Sequence, residues 1–428
     1  MLRTSQFRAF FLAGLTYGMD ALLERKDDTL RKSLLPILIL GIAISVVTLL
    51  GFQVKNPVLP EPFQTPSSNN RPEVISKPEG ANLTLPSGFH IEVYAEGFTR
   101  PRFMLQTSTG EILLSNSDNA GSVYVLQDRN KDFKNDSQTK IIEGLDRPYG
   151  LALWKEYLYV AEATSLKRYK YDSANRSAKL PGQEVVSLKD FGKGHWTRSI
   201  LFDDKAEKFY LTVGSGSNVD AGEDPMRAAI HRYNPDGSGH EVIAEGVRNV
   251  IGLRWYPGTH TLWAAVQERD GLGDDLVPDY FTAIKPGGFY GWPYAYIGPH
   301  EDPRRKGENP AQVKTTIPPD VQLGAHVAVL DALFYTGTQF PEHYRGGAFL
   351  AFHGSWNRSK RVGYSVAFVP FENGKPVELP REFLSGFMLH PEKREVWGRP
   401  VGLLQLEDGS MLVSDDGGNK IWRIYYKV

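Results

Sequence analysis

The sequence predicts an all-β chain, a six-bladed β-propeller with an N-terminal transmembrane helix. Three observations carry that expectation. A strand-turn-strand grammar recurs roughly every 50 residues after position 83. Turn formers are abundant, with 42 Gly and 28 Pro among 428 residues. One uncharged stretch stands near the N-terminus.

Residues 1–32, which hold Arg3, Arg8, Arg25, Lys26, Arg31 and Lys32, are expected to form a short cytoplasmic tail. The 22 residues between Lys32 and Lys55 carry no charge, and about 20 such residues span a hydrocarbon core of about 30 Å as a helix. Residues 33–54 are therefore expected to cross a membrane. Basic residues before that span, and only Lys55 just after it, orient the tail inward and the rest outward. A cleaved signal peptide is the competing reading, for which the run is long and late. Residues 55–82, with Pro57, Pro60, Pro62, Pro66, Pro72 and Pro78, have the composition of a stiff, solvated linker. The propeller is expected over 83–428, on the periplasmic or extracellular side.

Arg100-Pro101, Arg147-Pro148, Arg198-Ser199, Arg248-Asn249 and Arg399-Pro400 each open a repeat. A β-prone run follows each of them, as in Tyr157-Leu158-Tyr159-Val160 and Phe209-Tyr210-Leu211-Thr212-Val213. Turns such as Ser108-Thr109-Gly110 and Glu407-Asp408-Gly409 separate the halves. A sixth, more decorated copy runs from His326 to Phe371. A single four-stranded sheet cannot bury both faces, whereas six in a closed ring leave only protected edges. Residues just before each innermost strand then share one mouth of the channel, so the repeated arginines and His326 should converge. Two stacked β-sandwiches would not explain the recurring arginine. Residues 83–93 are expected to close the ring by giving a strand to the last blade, against Trp422.

Bulk properties narrow the chemistry. A net charge of −1 offers no field for nucleic acid. The absence of cysteine excludes disulfides and thiolate metal sites.

Five loops can carry chemistry. Gly194-His195-Trp196-Thr197-Arg198 sets an imidazole, able to take a proton near neutrality, among glycines. Arg248-Asn249 and Arg399-Pro400 hold guanidinium forks suited to carboxylates or a developing oxyanion. Glu268-Arg269-Asp270-Gly271-Leu272-Gly273-Asp274-Asp275 has the oxygens of a hard-cation loop. Phe352-His353-Gly354-Ser355-Trp356-Asn357-Arg358-Ser359-Lys360 joins a stacking ring to two cations. Each also has a structural reading: a histidine satisfied by backbone, an arginine on blade carbonyls, a solvated acidic turn, a core tryptophan. Asp128-Arg129-Asn130-Lys131-Asp132-Phe133-Lys134-Asn135-Asp136 spaces oxygens like a calcium loop, with Phe133 where the sharp turn calls for glycine.

At these residues the chain resembles the pyrroloquinoline quinone-dependent sugar dehydrogenases, particularly the sorbosone dehydrogenase branch. The resemblance runs from about Leu83 to Val428. It is strongest at Gly194–Arg198, Gly246–Asn249, Asp270–Tyr280, Gly287-Gly288-Phe289-Tyr290-Gly291-Trp292-Pro293, Phe352–Arg358 and Trp397–Gly402. It implies oxidation of a sugar, an aldose or a sorbosone-like aldehyde, with pyrroloquinoline quinone and Ca2+. His195 would be the general base, and Arg248 and Asn249 would stand beside the reactive carbonyls of the quinone. Arg358, Lys360 and Arg399 would hold its carboxylates, and the backbone at Asp270 and Gly271 would ligate calcium. A quinone pool or cytochrome would accept the electrons. Ile251 stands where glucose-oxidising relatives have glutamine, which removes one polar contact. The rival expectations are a lactonase-type hydrolase and a non-catalytic binding propeller.

Overall fold

The second strand of each blade lies between two neighbouring sheets, which is why it reads as an unbroken apolar run. Every residue is buried in Ile112–Asn116, Phe209–Val213, Ala348–Phe352 and Met411–Asp415. The structure, a computed structural model, describes residues 54–427 apart from Asn119, Lys193, Asp204 and Ala206.

Six blades follow one another, each built on four antiparallel strands, with a short fifth strand added in blades 2 and 3. The innermost strands are Pro101–Gln106, Leu151–Trp154, Ile200–Phe202, Asn249–Trp255, Val329–Phe334 and Pro400–Gln405. Each lies against the innermost strands of both neighbouring blades, so the ring is closed. In blade 6 the outermost strand comes from the other end of the domain. Phe89–Glu96 pairs antiparallel with Lys420–Tyr426 and sets Val93 opposite Trp422. The expected closure is therefore present, and Phe89 packs edge-to-face on Phe340, Tyr344 and Phe383.

Between the third and fourth strands of blade 4, Pro278–Ala283 and Val321–Ala325, the chain makes an excursion. It includes the hairpin Ala295–Tyr296 with His300–Glu301, the 3-10 turn Pro303–Arg305 and the short helix Pro310–Thr315.

The expected span at 33–54 lies outside the described residues except for Val54. Among the described residues no helix is long and apolar enough to cross a membrane. Segment 55–82 departs from a solvated linker, because it is laid along blades 4 to 6 as an extended strap. The amide of Phe63 donates to Leu272 O, and Thr65 Oγ1 accepts from the Asp274 amide. The Asn70 amide donates to Trp356 O, and Glu73–Val74 pairs in parallel with Glu395–Val396. Prolines keep the segment extended, and several of its peptide groups find partners on the propeller.

Candidate functional site

All six repeat positions precede an innermost strand, at one end of the channel. There blades 3, 4 and 5 enclose a cavity of about 180 Å³ whose walls include His195, Arg248, Asp270, His326, Trp356 and Asn357. Ordinary small-molecule pockets run to roughly 300–1,000 Å³, and Trp356, 40% exposed, forms the open rim.

Glycines let the His195 loop fold against its neighbour. Gly194 has φ +78°, and a Cβ there would lie 2.5 Å from Gly216 O. A Cβ on Gly214 would come within 2.5 Å of Asn249 Oδ1 and 2.6 Å of His195 Cβ. The ring's Nδ1 stands 2.9 Å from Ser215 O and 3.0 Å from Ser215 Oγ. A carbonyl only accepts, so Nδ1 carries the hydrogen and Nε2 is left as the acceptor. Burial, reinforced by the Arg248 charge, pushes the imidazole down to about 3. It is neutral at pH 7, with the Nε2 lone pair free.

Arg248 is buried and held by backbone and side-chain oxygens. Its Nε donates to Asn218 O at 3.2 Å, Nη1 to Glu268 O at 2.6 Å and Nη2 to Asn218 Oδ1 at 3.0 Å. Asp270 Oδ2 lies at 3.5 Å, so the guanidinium keeps an uncommitted Nη1 hydrogen. Asn218 is the hub, since its Oδ1 also accepts from the Asp270 amide and its Nδ2 donates to Asp270 O. Asn249 donates from Nδ2 to Gln267 Oε1 at 3.0 Å, while its buried Oδ1 has no partner. Ile251 packs in the core, and Gln267 brings a side-chain amide to the cavity wall.

His326 is committed on both nitrogens. Its Nε2 donates to Gly273 O at 2.9 Å, and Nδ1 accepts from Asn357 Nδ2 at 3.0 Å. Asn357 also donates to Asp270 Oδ1. His326 thus positions Asn357 and Asp270, and His195 is the imidazole in the cavity with an open acceptor.

The remaining expected residues do not join this cavity. Arg100 is exposed, and Arg102, two residues on, turns inward to pair with Asp416 at 2.6 Å. Arg198 is spent on the carbonyls of Phe191, His195 and Thr197. Arg399 donates to His353 O and Gly354 O, and His353 Nε2 meets Asp416 Oδ1 at 2.7 Å. Arg102 and Arg147 both stand 5.4 Å from the Trp196 ring centre, one blade over from His195. Arg358 pairs with Asp275 at 2.6 Å, and Lys360, 72% exposed, pairs with Glu392 at 3.5 Å. Both cations are engaged by carboxylates outside the cavity lining. Asn218 and Gln267 escape a reading of motifs because each is a single polar residue whose role depends on loops distant in sequence, whereas His326 stands at the mouth as its repeat position implies.

The loop expected to bind calcium has a different donor set. Asp270 O accepts from Asn218 Nδ2 at 2.8 Å and from Arg304 Nη1 at 2.7 Å, while Gly271 lies outside the cavity lining. A carbonyl engaged by a guanidinium does not fit a calcium ion. Among the described residues no group of three or more His, Asp or Glu is placed to hold a metal. In the 128–136 loop, Asp128, Asp132 and Asp136 cap backbone amides of their own turn.

A family model described as TrAA12-like matches residues 83–279 and 301–427. An uncharacterised protein of Borreliella burgdorferi is 30% identical over 359 residues, covering 81% of this chain and 92% of that one. A Coprinopsis cinerea protein named pyrroloquinoline quinone-dependent pyranose dehydrogenase is 23% identical over 80% of this chain, which spans about half of it, 54%. Among solved structures, a Trichoderma reesei carbohydrate-active enzyme of family AA12 superposes with a TM-score of 0.70 at 21% identity, covering 84% of this chain and 100% of that one. The holo pyranose dehydrogenase quinone domain from Coprinopsis cinerea gives 0.66 at 18% identity, covering 87% and 100%. These structural likenesses show the shared propeller. The family match, which extends over most of the ring including the His195 and Arg248 loops, shows that this chain belongs to the TrAA12-like family.

Proposed function

We propose that this chain is a quinoprotein dehydrogenase that oxidises a sugar with pyrroloquinoline quinone at the channel mouth. One observation carries the reading: His195 and Arg248 share a cavity, a neutral imidazole acceptor beside a buried guanidinium. The name of the Coprinopsis cinerea relative and the family membership support it.

The residues present fit a planar, anionic cofactor. Asn249 Oδ1 is a buried polar atom without a partner, Arg248 keeps a spare donor, and Trp356 offers an exposed ring at the rim. Arg248 and Asn249 would hold the reacting edge. When bound, the quinone supplies the hydride acceptor. His195 Nε2 takes the hydroxyl proton as the carbon–hydrogen bond breaks. Arg248, buried and held in place by Asn218, makes a preorganised positive field for a developing oxyanion. Gly214 lets the base and Asn249 approach each other. Asn357 Oδ1 and the Asp270 carboxylate would give a sugar hydroxyl polar partners in the same cavity.

Residues 33–54 would tether the propeller on the periplasmic or extracellular side, where a quinone pool or cytochrome receives the electrons. The test is reconstitution of the full chain with the quinone, a series of aldoses and sorbosone, and a dye acceptor. Quinone-dependent dye reduction is expected. Cofactor-free cleavage of a lactone, or quinone binding without dye reduction, would replace the reading with a hydrolase or a binding propeller.

A further inference from the structure

Loop 268–274 carries the carbonyls that the resemblance assigns to calcium, and its hydrogen bonds run to cations and amides. Asp270 O receives Asn218 Nδ2 and Arg304 Nη1, which use both lone pairs. Glu268 O accepts from Arg248 Nη1 at 2.6 Å, and Gly273 O from His326 Nε2 at 2.9 Å. Leu272 O accepts from the Phe63 amide at 2.7 Å, and Asp274 O from Arg358 Nη1 at 2.8 Å.

Arg304 is not a loose side chain swung into an opening. Asp302 grips it from Oδ1 to Nε at 2.9 Å and from Oδ2 to Nη2 at 2.8 Å. Asp302 is itself fully buried and paired with the buried Arg269 at 3.1 Å. A guanidinium does not give up its proton, so its charge is permanent. A divalent ion seeking about six to eight oxygens would have to break this clamp and sit beside the Arg248 and Arg304 charges.

We infer that this chain holds its quinone without calcium, with the guanidinium of Arg304 standing on the Asp270 carbonyl where the resemblance places the ion. The inference rests on the proposed function and is tested separately from it. Arg304 is a positioning residue: it fixes the Asp270 peptide, and through it the carboxylate that faces Asn357 and Arg248.

The full chain is titrated with pyrroloquinoline quinone, followed by tryptophan fluorescence, once with a calcium chelator and once with excess calcium. The dissociation constant is expected to agree within about threefold. A larger loss on chelation overturns the inference. Binding in neither condition removes the quinone reading itself, and the inference with it. The same titration on Arg304→Met, which keeps the apolar stem and frees the carbonyl, is expected to show calcium tightening quinone binding in the variant alone. Calcium tightening both chains equally, or neither, overturns the role given to Arg304.

Discussion

The Nδ1 atom of His195 lies 2.9 Å from the carbonyl oxygen of Ser215, and that contact decides which ring nitrogen does chemistry. With Nδ1 donating, Nε2 is the acceptor, and burial beside Arg248 keeps the ring uncharged.

The pH profile follows from that. An imidazole at the usual value of about 6.5 would lose roughly tenfold of its basic form for each pH unit below it. His195 titrates at about 3, so its basic form persists as the pH falls from 7 through 5. The expected kcat/KM for sugar oxidation is flat across that range, measured with dye in excess. A tenfold decline between pH 6 and 5, as for an ordinary histidine, would show that the ring is not held as described.

Gly214→Ala should damage the site more than the fold. The added Cβ would stand 2.5 Å from Asn249 Oδ1 and 2.6 Å from His195 Cβ, so one of them must move. Overpacking of this kind costs about 1–3 kcal/mol, and a shift of about 1 Å at reacting groups costs about 100-fold in rate. Turnover and thermal melting are measured together. Full turnover in the variant would mean that the close approach is not needed.

Ring closure depends on Phe89, whose side chain meets Phe340, Tyr344, Phe383 and Tyr426 at the seam between blades 5 and 6. Phe89→Ala is expected to destabilise the propeller by about 3–5 kcal/mol in chemical denaturation. A loss below about 1 kcal/mol would mean that the first strand is dispensable.

The strap is tested at Asn70. Its O and Oδ1 accept from the buried Arg361, and its Nδ2 donates to Arg358 O at 3.1 Å and Ser359 O at 3.0 Å. Asn70→Ala leaves Arg361 short of an acceptor, an expected cost of about 1–3 kcal/mol. Unchanged stability would show that the strap rests on the propeller without holding it.

The blades are legible in the sequence because their second strands are buried on both faces, which writes an apolar run into every repeat. His195 and Arg248 are legible for the same reason, being tied to the repeat's phase. The phase does not show which way a side chain turns. Arg100 faces solvent while Arg102 faces Asp416, and Lys360 next to a tryptophan motif is on the surface. The strap is misread because proline-rich composition specifies extension and not whether a surface receives it. Arg304 is invisible to a motif reading of the 268–275 loop, since it arrives from the blade 4 excursion 34 residues away.

The decisive comparison is His195→Ala against the parent chain, with quinone affinity and sugar turnover measured on the same samples. Loss of the proton acceptor should lower turnover by about 100- to 10,000-fold while the quinone dissociation constant stays within about threefold. Turnover that survives, or quinone binding that disappears along with it, would contradict the pairing of base and guanidinium in one cavity as the seat of the chemistry.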